Sequence, residues 1–166
     1  LMAPQAERMK RLIDDLLTET RGNLFTFNEL SRFAELSATE QIRLAANGTR
    51  MSEFAAGWDD EHALSQPLAG AFFDILIDIY QEKLVERRLV PRELAELSRE
   101  VELNPACDAV IQPYYDAAFA GERAGFREAL ESARDALGVM LAETWKRLPA
   151  DDFSYATVGE TLIGVD

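Results

Sequence analysis

The stretch from Leu68 to Ile79 constrains the fold of this 166-residue chain more than any other. Apolar residues fill almost all of it, and its two acidic residues, Asp74 and Asp78, lie one helical turn apart. Helical spacing predicts two apolar faces, the first made of Leu68, Ala71, Phe72, Ile75, Leu76 and Ile79, and the second of Phe73, Ile77 and Tyr80. A helix that is apolar over so much of its circumference is buried among others. We therefore predict a buried central helix from about 67 to 88, started by Pro67.

The rest of the chain is also predicted to be helical. Apolar residues three and four positions apart predict helices at about 4–20, 92–103, 105–120 and 122–148. Capping boxes predict further helix starts at Thr26, Ser37 and Thr157, and Gly22 is the predicted stop of the first helix. No strand alternation persists. We expect residues 1–166 to form a single all-α domain, an irregular bundle of about seven helices around the central one.

The charge of the chain bears on its partners. It carries 30 acidic against 17 basic residues, for a net charge of −13. Nucleic acids and anionic membrane surfaces are bound through Lys and Arg, so we expect neither as a partner.

The sequence contains no signal peptide and no stretch long enough to span a membrane, which favours a soluble chain and leaves its compartment open. Leu1 in place of an initiator Met indicates a trimmed chain or a fragment.

The only histidine, His62, is the candidate for chemistry. Asp59, Asp60 and Glu61 precede it, and these carboxylates favour the imidazolium form, which can donate a proton or a hydrogen bond to a developing oxyanion. Ser65 is placed to orient the ring or to cap the helix at Pro67. One His and one Cys cannot build a zinc site of the usual ligands, so we expect no metal or other cofactor in this chain. The alternative is that His62 is an ordinary loop residue.

The His62 segment also resembles a known family. His62-Ala63-Leu64-Ser65, running into Ala69-Gly70-Ala71-Phe72-Phe73-Asp74, is similar to part of the C-terminal helical domain of the thermolysin-like gluzincin metallopeptidases. In that family a His, followed three residues later by Ser, opens a buried helix. Three further segments resemble the last third of larger bacterial proteins that carry His-Glu-x-x-His earlier in the chain, namely Thr20 to Leu24, Ile79-Tyr80 and Phe153 to Asp166.

The resemblance implies that this chain is a C-terminal fragment of a zinc metallopeptidase-like protein, a hydrolase. His62 would stabilise the tetrahedral intermediate of peptide hydrolysis, while zinc, its ligands and the general base would belong to an N-terminal catalytic part of the full-length parent. The partners implied are that part and a peptide or protein substrate. The family's Asn-Ser-Gly is Leu64-Ser65-Gln66 here, and the spacing of the preceding acids differs, so the acid that orients His62 stays open. This chain alone is predicted to be inactive, because it lacks His-Glu-x-x-His.

A rival hypothesis needs no chemistry. The chain would then be a free-standing acidic helical module that binds a partner protein in a groove between helices, near Trp58, Tyr114 and Tyr115. Aromatic residues are enriched at interfaces, although at helical spacing they more often belong to a core.

Overall fold

The computed structural model of the chain describes residues 2–26, 61–149, 151 and 154–165, with the backbone alone at 2–4, 61–69, 102, 103 and 105. In chain order its helices are α1 (Met2–Thr20), α2 (Glu61–Glu86), α3 (Arg92–Ser98), α4 (Glu100–Leu103), α5 (Asp108–Gly121), α6 (Arg123–Arg147) and α7 (Tyr155–Ile163). Short 3₁₀ turns occupy Leu24–Thr26 and Pro105–Cys107. The described residues contain no strand, and the predicted all-α class is confirmed. Six of the helices exceed one turn, close to the seven predicted. The helices expected between 27 and 48 lie outside the described residues.

α1 ends at the predicted glycine. Arg21 and Gly22 both adopt left-handed backbone conformations, with φ of 48° and 87°. The Gly22 N–H donates to the Leu17 carbonyl at 3.2 Å, so one of the last carbonyls of the helix is satisfied.

α2 ends in a Schellman motif without glycine. Arg88 is left-handed, with φ of 58°, and its N–H donates to the Val85 carbonyl at 2.9 Å. The Leu89 N–H donates to the Leu84 carbonyl at 2.9 Å, and both side chains belong to the core region. The helix therefore stops at Glu86, two residues before its predicted end.

Two predicted helices differ from those observed. The one expected from 92 to 103 is split at Arg99, whose N–H donates to the Glu96 carbonyl in the tighter pattern of a 3₁₀ turn. The last helix starts earlier than predicted, because Ser154, rather than Thr157, is its N-cap. The Ser154 hydroxyl accepts from the Thr157 N–H at 3.2 Å.

The core lies where α2 packs along α6, the most extensive contact between two elements. Of the two predicted faces of α2, the second is buried more deeply, since Ile77 and Tyr80, together with Leu84, are almost inaccessible. Ala71, predicted on the first face, is exposed. The core is completed by residues of α1, α5 and α6, namely Ile13, Leu17, Tyr115, Phe119, Phe126, Leu130 and Ala133. None of the described helices combines the length and the apolar character needed to cross a membrane.

Candidate functional site

The predicted site residues lie at the first turns of α2. The helix begins at Glu61, six residues before the predicted start at Pro67, so His62 lies within the helix and not in front of it. The start was predicted at Pro67 because proline favours a first turn. Further inside a helix it removes one hydrogen bond and crowds the carbonyl four residues back, a cost that this helix accommodates. Ser65 is inside the helix and cannot be its N-cap, which corrects one of its two predicted roles.

The remaining predictions at this end stay open. Ser65 is three positions after His62, and residues at this spacing share a helix face. Its predicted role in orienting the imidazole is therefore compatible with the backbone. Of the three acids that could orient His62, Glu61 belongs to the described part of α2, and Asp59 and Asp60 lie outside the described residues. The side chains of Glu61, His62 and Ser65 lie outside the description as well.

Further along α2, Asp74 and Asp78 lie one helical turn apart, as expected from their spacing. Both are exposed, and Asp78 pairs with Arg99 across to the α3–α4 junction at 2.9 Å. Loss of hydration at the protein surface and, second, the neighbouring Asp78 carboxylate raise the pKa of Asp74 above its ordinary value of 3.8. Asp74 therefore opposes folding when it is ionised.

This shift predicts a pH-dependent gain from Asp74→Asn. An acid whose pKa is raised by folding costs stability as the pH rises through 3.8 towards the folded pKa, and above that the cost is constant. We expect Asp74→Asn to raise the free energy of unfolding at pH 7 by less than about 1 kcal/mol after solvent screening, and with it the melting temperature. The gain should vanish below pH 3.8, where Asp74 is protonated in both states. Thermal unfolding across this range measures it; a lower melting temperature of the variant at pH 7 would contradict the assignment.

A buried polar network joins α2, α3 and α5. The Tyr115 hydroxyl donates to Gln81 Oε1 at 2.8 Å and lies 3.3 Å from the Ser98 hydroxyl. Ser98 in turn donates to the Ala95 carbonyl at 2.7 Å. Burial raises the pKa of Tyr115 above its ordinary value, so its phenol stays neutral and acts as a hydrogen-bond donor. The network fixes the orientation of the Gln81 amide.

Beside this network, a pocket of about 250 Å³ lies between α2 and α3. The Glu82 carboxylate accepts two hydrogen bonds from Arg92, each 3.0 Å long. This interaction with Arg92 lowers the pKa of Glu82, so the pair remains ionised at neutral pH. The pocket is lined by Gln81, Glu82, Arg92, Ala95, Glu96 and Arg99. Sequence reasoning missed it; the only signal was Gln81, a polar residue next to Tyr80 in an apolar helix.

A wider groove of about 580 Å³ runs between α1 and the start of α6. Asp14 pairs with Arg127 within it. The Arg123 guanidinium lies over the Phe119 ring, 5.0 Å from its centroid. Several of the charged groups that line the groove therefore already have partners. The described residues contain no cluster of three His, Cys, Asp or Glu side chains that could hold a metal ion.

The predicted aromatic groove of the rival hypothesis is only partly available. Tyr115 is completely buried, because its ring faces the core and its hydroxyl belongs to the network with Gln81. Tyr114, the next residue, points outwards and is 63% exposed. Adjacent helical residues lie about 100° apart, so only Tyr114 of the two tyrosines is available to a partner, and the predicted groove near them stays a prediction. Trp58 lies outside the described residues.

Comparisons of the chain with protein-family models, curated proteins and solved structures gave no match.

Proposed function

We propose that this chain is the C-terminal helical domain of a zinc metallopeptidase-like protein of the thermolysin type, and that His62 is its contribution to the active site. The observation that supports this is the continuity of α2, which carries His62 in its first turn. The same helix reaches the centre of the fold, where Tyr80 and Leu84 are completely buried. A functional group on such an element is held by the rigidity of the whole helix.

The chemistry proposed for His62 is stabilisation of an oxyanion. When water attacks a peptide carbonyl, negative charge develops on the carbonyl oxygen, and an imidazole N–H can donate a hydrogen bond to it. The start of a helix supplies unpaired backbone N–H groups and a partial positive charge, which also favour an anion there. The early start of α2 at Glu61 therefore supports the role better than a loop position would.

Zinc does not fit the residues of this chain. One histidine and one cysteine cannot supply the usual donor set, so the metal would be held by the N-terminal catalytic part, with which this domain would form the substrate cleft. The substrate would be a peptide or protein.

The central test is His62→Ala in the full-length parent. Loss of one oxyanion donor lowers kcat by about 10²–10³-fold, and we expect that range with a much smaller change in KM. His62→Gln, which keeps an N–H donor, should recover part of the loss. Tyr114→Ala removes another aromatic ring from an exposed position and should leave kcat unchanged. Peptidase kinetics of the three variants provide the measurement, and a normal kcat in His62→Ala would remove His62 from the mechanism.

The same assay separates the two hypotheses. The purified 166-residue chain should show no zinc-dependent peptidase activity, because its residues provide no usual zinc site. Activity of this chain alone would refute the proposed division of the active site. A parent that is active, but insensitive to loss of His62, would favour a domain whose role is to bind a partner.

A further inference from the structure

The outer side of α5 is an exposed helix surface without a single charge. Seven residues of this helix are exposed, and together they are called the α5 face: Ala109, Val110, Pro113, Tyr114, Ala117, Ala120 and Gly121. The two acidic residues of the helix, Asp108 and Asp116, are only partly exposed, and Asp116 pairs with Arg21 at 2.9 Å. Charged residues make up 28% of the chain, so their absence from this face needs a physical reason.

Neither solubility nor helix stability accounts for the α5 face. Val110 is 69% exposed and Tyr114 is 63% exposed, so both apolar side chains lie largely in water. Fold stability alone would favour charged or polar helix formers over valine and proline at exposed helical positions. Pro113 also removes a backbone hydrogen bond from the interior of α5. A contiguous exposed surface of this composition is typical of an interaction site.

The α5 face has the shape that a helix–helix contact requires. One row consists of small or short side chains at every fourth position, namely Ala109, Pro113, Ala117 and Gly121. A Cβ added at Gly121 meets nothing within 4 Å, so this end of the row is open. Val110 and Tyr114 form the neighbouring row at the same spacing and carry larger side chains. Because helices pack by fitting such rows into the grooves beside them, one α5 face is complementary to another.

The net charge of the chain restricts which surfaces of two copies can meet. Each copy carries a net charge of −13, so most contacts between copies would bring acidic side chains together. In a two-fold contact, residues close to the axis face their own counterparts, and any charge there meets a like charge. The α5 face contains no charge over a helix length of about 21 Å. A partner of opposite charge would gain nothing from this face, whereas a second copy avoids repulsion there.

We propose that two copies of this chain associate through their α5 faces in a symmetric dimer. The face offers an area on the order of a few hundred Å², whereas stable interfaces bury about 800 Å² on each partner. The association is therefore weak and reversible, with a dissociation constant on the order of 10⁻⁵–10⁻⁴ M. The α5 face contains none of the residues assigned to peptide hydrolysis, so the proposal does not depend on the function proposed for His62.

The first test is the oligomeric state of the purified 166-residue chain. Sedimentation velocity from about 1 µM to about 500 µM brackets the expected dissociation constant and should show a monomer that converts reversibly to a dimer. Salt at about 0.15 M screens the repulsion between the two acidic copies. A chain that stays monomeric at the highest concentration, whatever else covers α5, would overturn the proposal.

Matched variants test whether the α5 face forms the contact. Val110→Glu places a carboxylate on both faces of the dimer, and we expect the dissociation constant to rise at least about tenfold. Val139→Glu adds the same charge on α6, at a position that is 64% exposed, and should leave the dissociation constant nearly unchanged. Circular dichroism verifies that both variants keep their helix content. Equal effects of the two variants, or no effect of Val110→Glu, would refute the assignment of the contact to α5.

Disulfide cross-linking tests whether the occupant of the face is a second copy. Cys107 is first replaced, as Cys107→Ser, and Ala109→Cys, Pro113→Cys and Ala117→Cys are then introduced one at a time. A disulfide requires the two Cα atoms to approach within about 7 Å, and a two-fold contact brings residues near its axis to their own counterparts. On mild oxidation, at least one of the three should form a covalent dimer faster than Val139→Cys does. Equal rates at α5 and at Val139 would contradict the proposal.

Discussion

Gly22→Ala should destabilise the fold by about 2–5 kcal/mol, from left-handed backbone strain and forced packing together. Gly22 has a φ of 87°, a region that side chains with a Cβ rarely adopt. An added Cβ would also lie 2.6 Å from Cε1 and 2.8 Å from Cδ1 of Phe126. The backbone strain and the contact with Phe126 both come from the added Cβ atom, so a small shift of the backbone cannot remove both.

The backbone at Gly22 is held on two sides, which prevents relaxation. Its N–H donates to the Leu17 carbonyl at the end of α1, at 3.2 Å. Its carbonyl accepts from the hydroxyl of Tyr80 at 3.0 Å, and Tyr80 is completely buried. Burial raises the pKa of Tyr80 well above its ordinary value, so the phenol keeps its proton and the hydrogen bond persists at every physiological pH. Moving Gly22 away from the Phe126 ring would break this bond in the core.

Gly138→Ala provides the matched control for Gly22→Ala. Gly138 lies inside α6, and a Cβ added there meets nothing within 4 Å. Alanine is favoured over glycine in a helix interior by about 1 kcal/mol, so this variant should be slightly more stable. Urea unfolding monitored by circular dichroism compares the two variants with the unchanged chain. If Gly22→Ala unfolds at the same urea concentration as the unchanged chain, neither the left-handed backbone nor the contact with Phe126 requires glycine at position 22.

Local signals predicted the helices well, because helix periodicity depends on neighbours in sequence. The stop at Gly22 was predicted from its residue type, but its contact with Phe126, 104 positions away, follows only from packing. The start of α2 was misplaced because Pro67 is a strong local signal. The split at Arg99 was missed because no glycine or proline marks it.

The candidate site was predictable only in part, for a related reason. His62 stood out because it is the only histidine and carries a family resemblance. Gln81 did not stand out, since one polar residue in an apolar helix does not indicate its partner. Its role depends on Tyr115 and Ser98, which belong to other helices and approach it only in the folded chain. Polar networks between helices leave no periodic pattern in any single helix.

Phe126→Ala should destabilise the fold by about 3–5 kcal/mol. The ring is completely buried and meets Phe119 edge to face, with centroids 5.4 Å apart. Truncation leaves a cavity between α1, α5 and α6 and removes this aromatic pair. Since small domains are stable by only about 5–15 kcal/mol, Phe126→Leu provides a milder variant that remains measurable.

The double variant Gly22→Ala/Phe126→Ala tests whether the two positions are physically coupled. Without the ring, the methyl group of the new alanine loses its two short contacts, and Phe119 Cβ at 3.4 Å and the backbone strain at φ of 87° remain. We expect the double variant to be more stable than the sum of the single effects predicts, by at least about 1 kcal/mol, as for residues in direct contact. Strict additivity in urea unfolding would show that the cost of Gly22→Ala comes from the backbone alone. A coupling energy of the expected sign would instead show that the close approach of Gly22 to the Phe126 ring is part of the cost of Gly22→Ala.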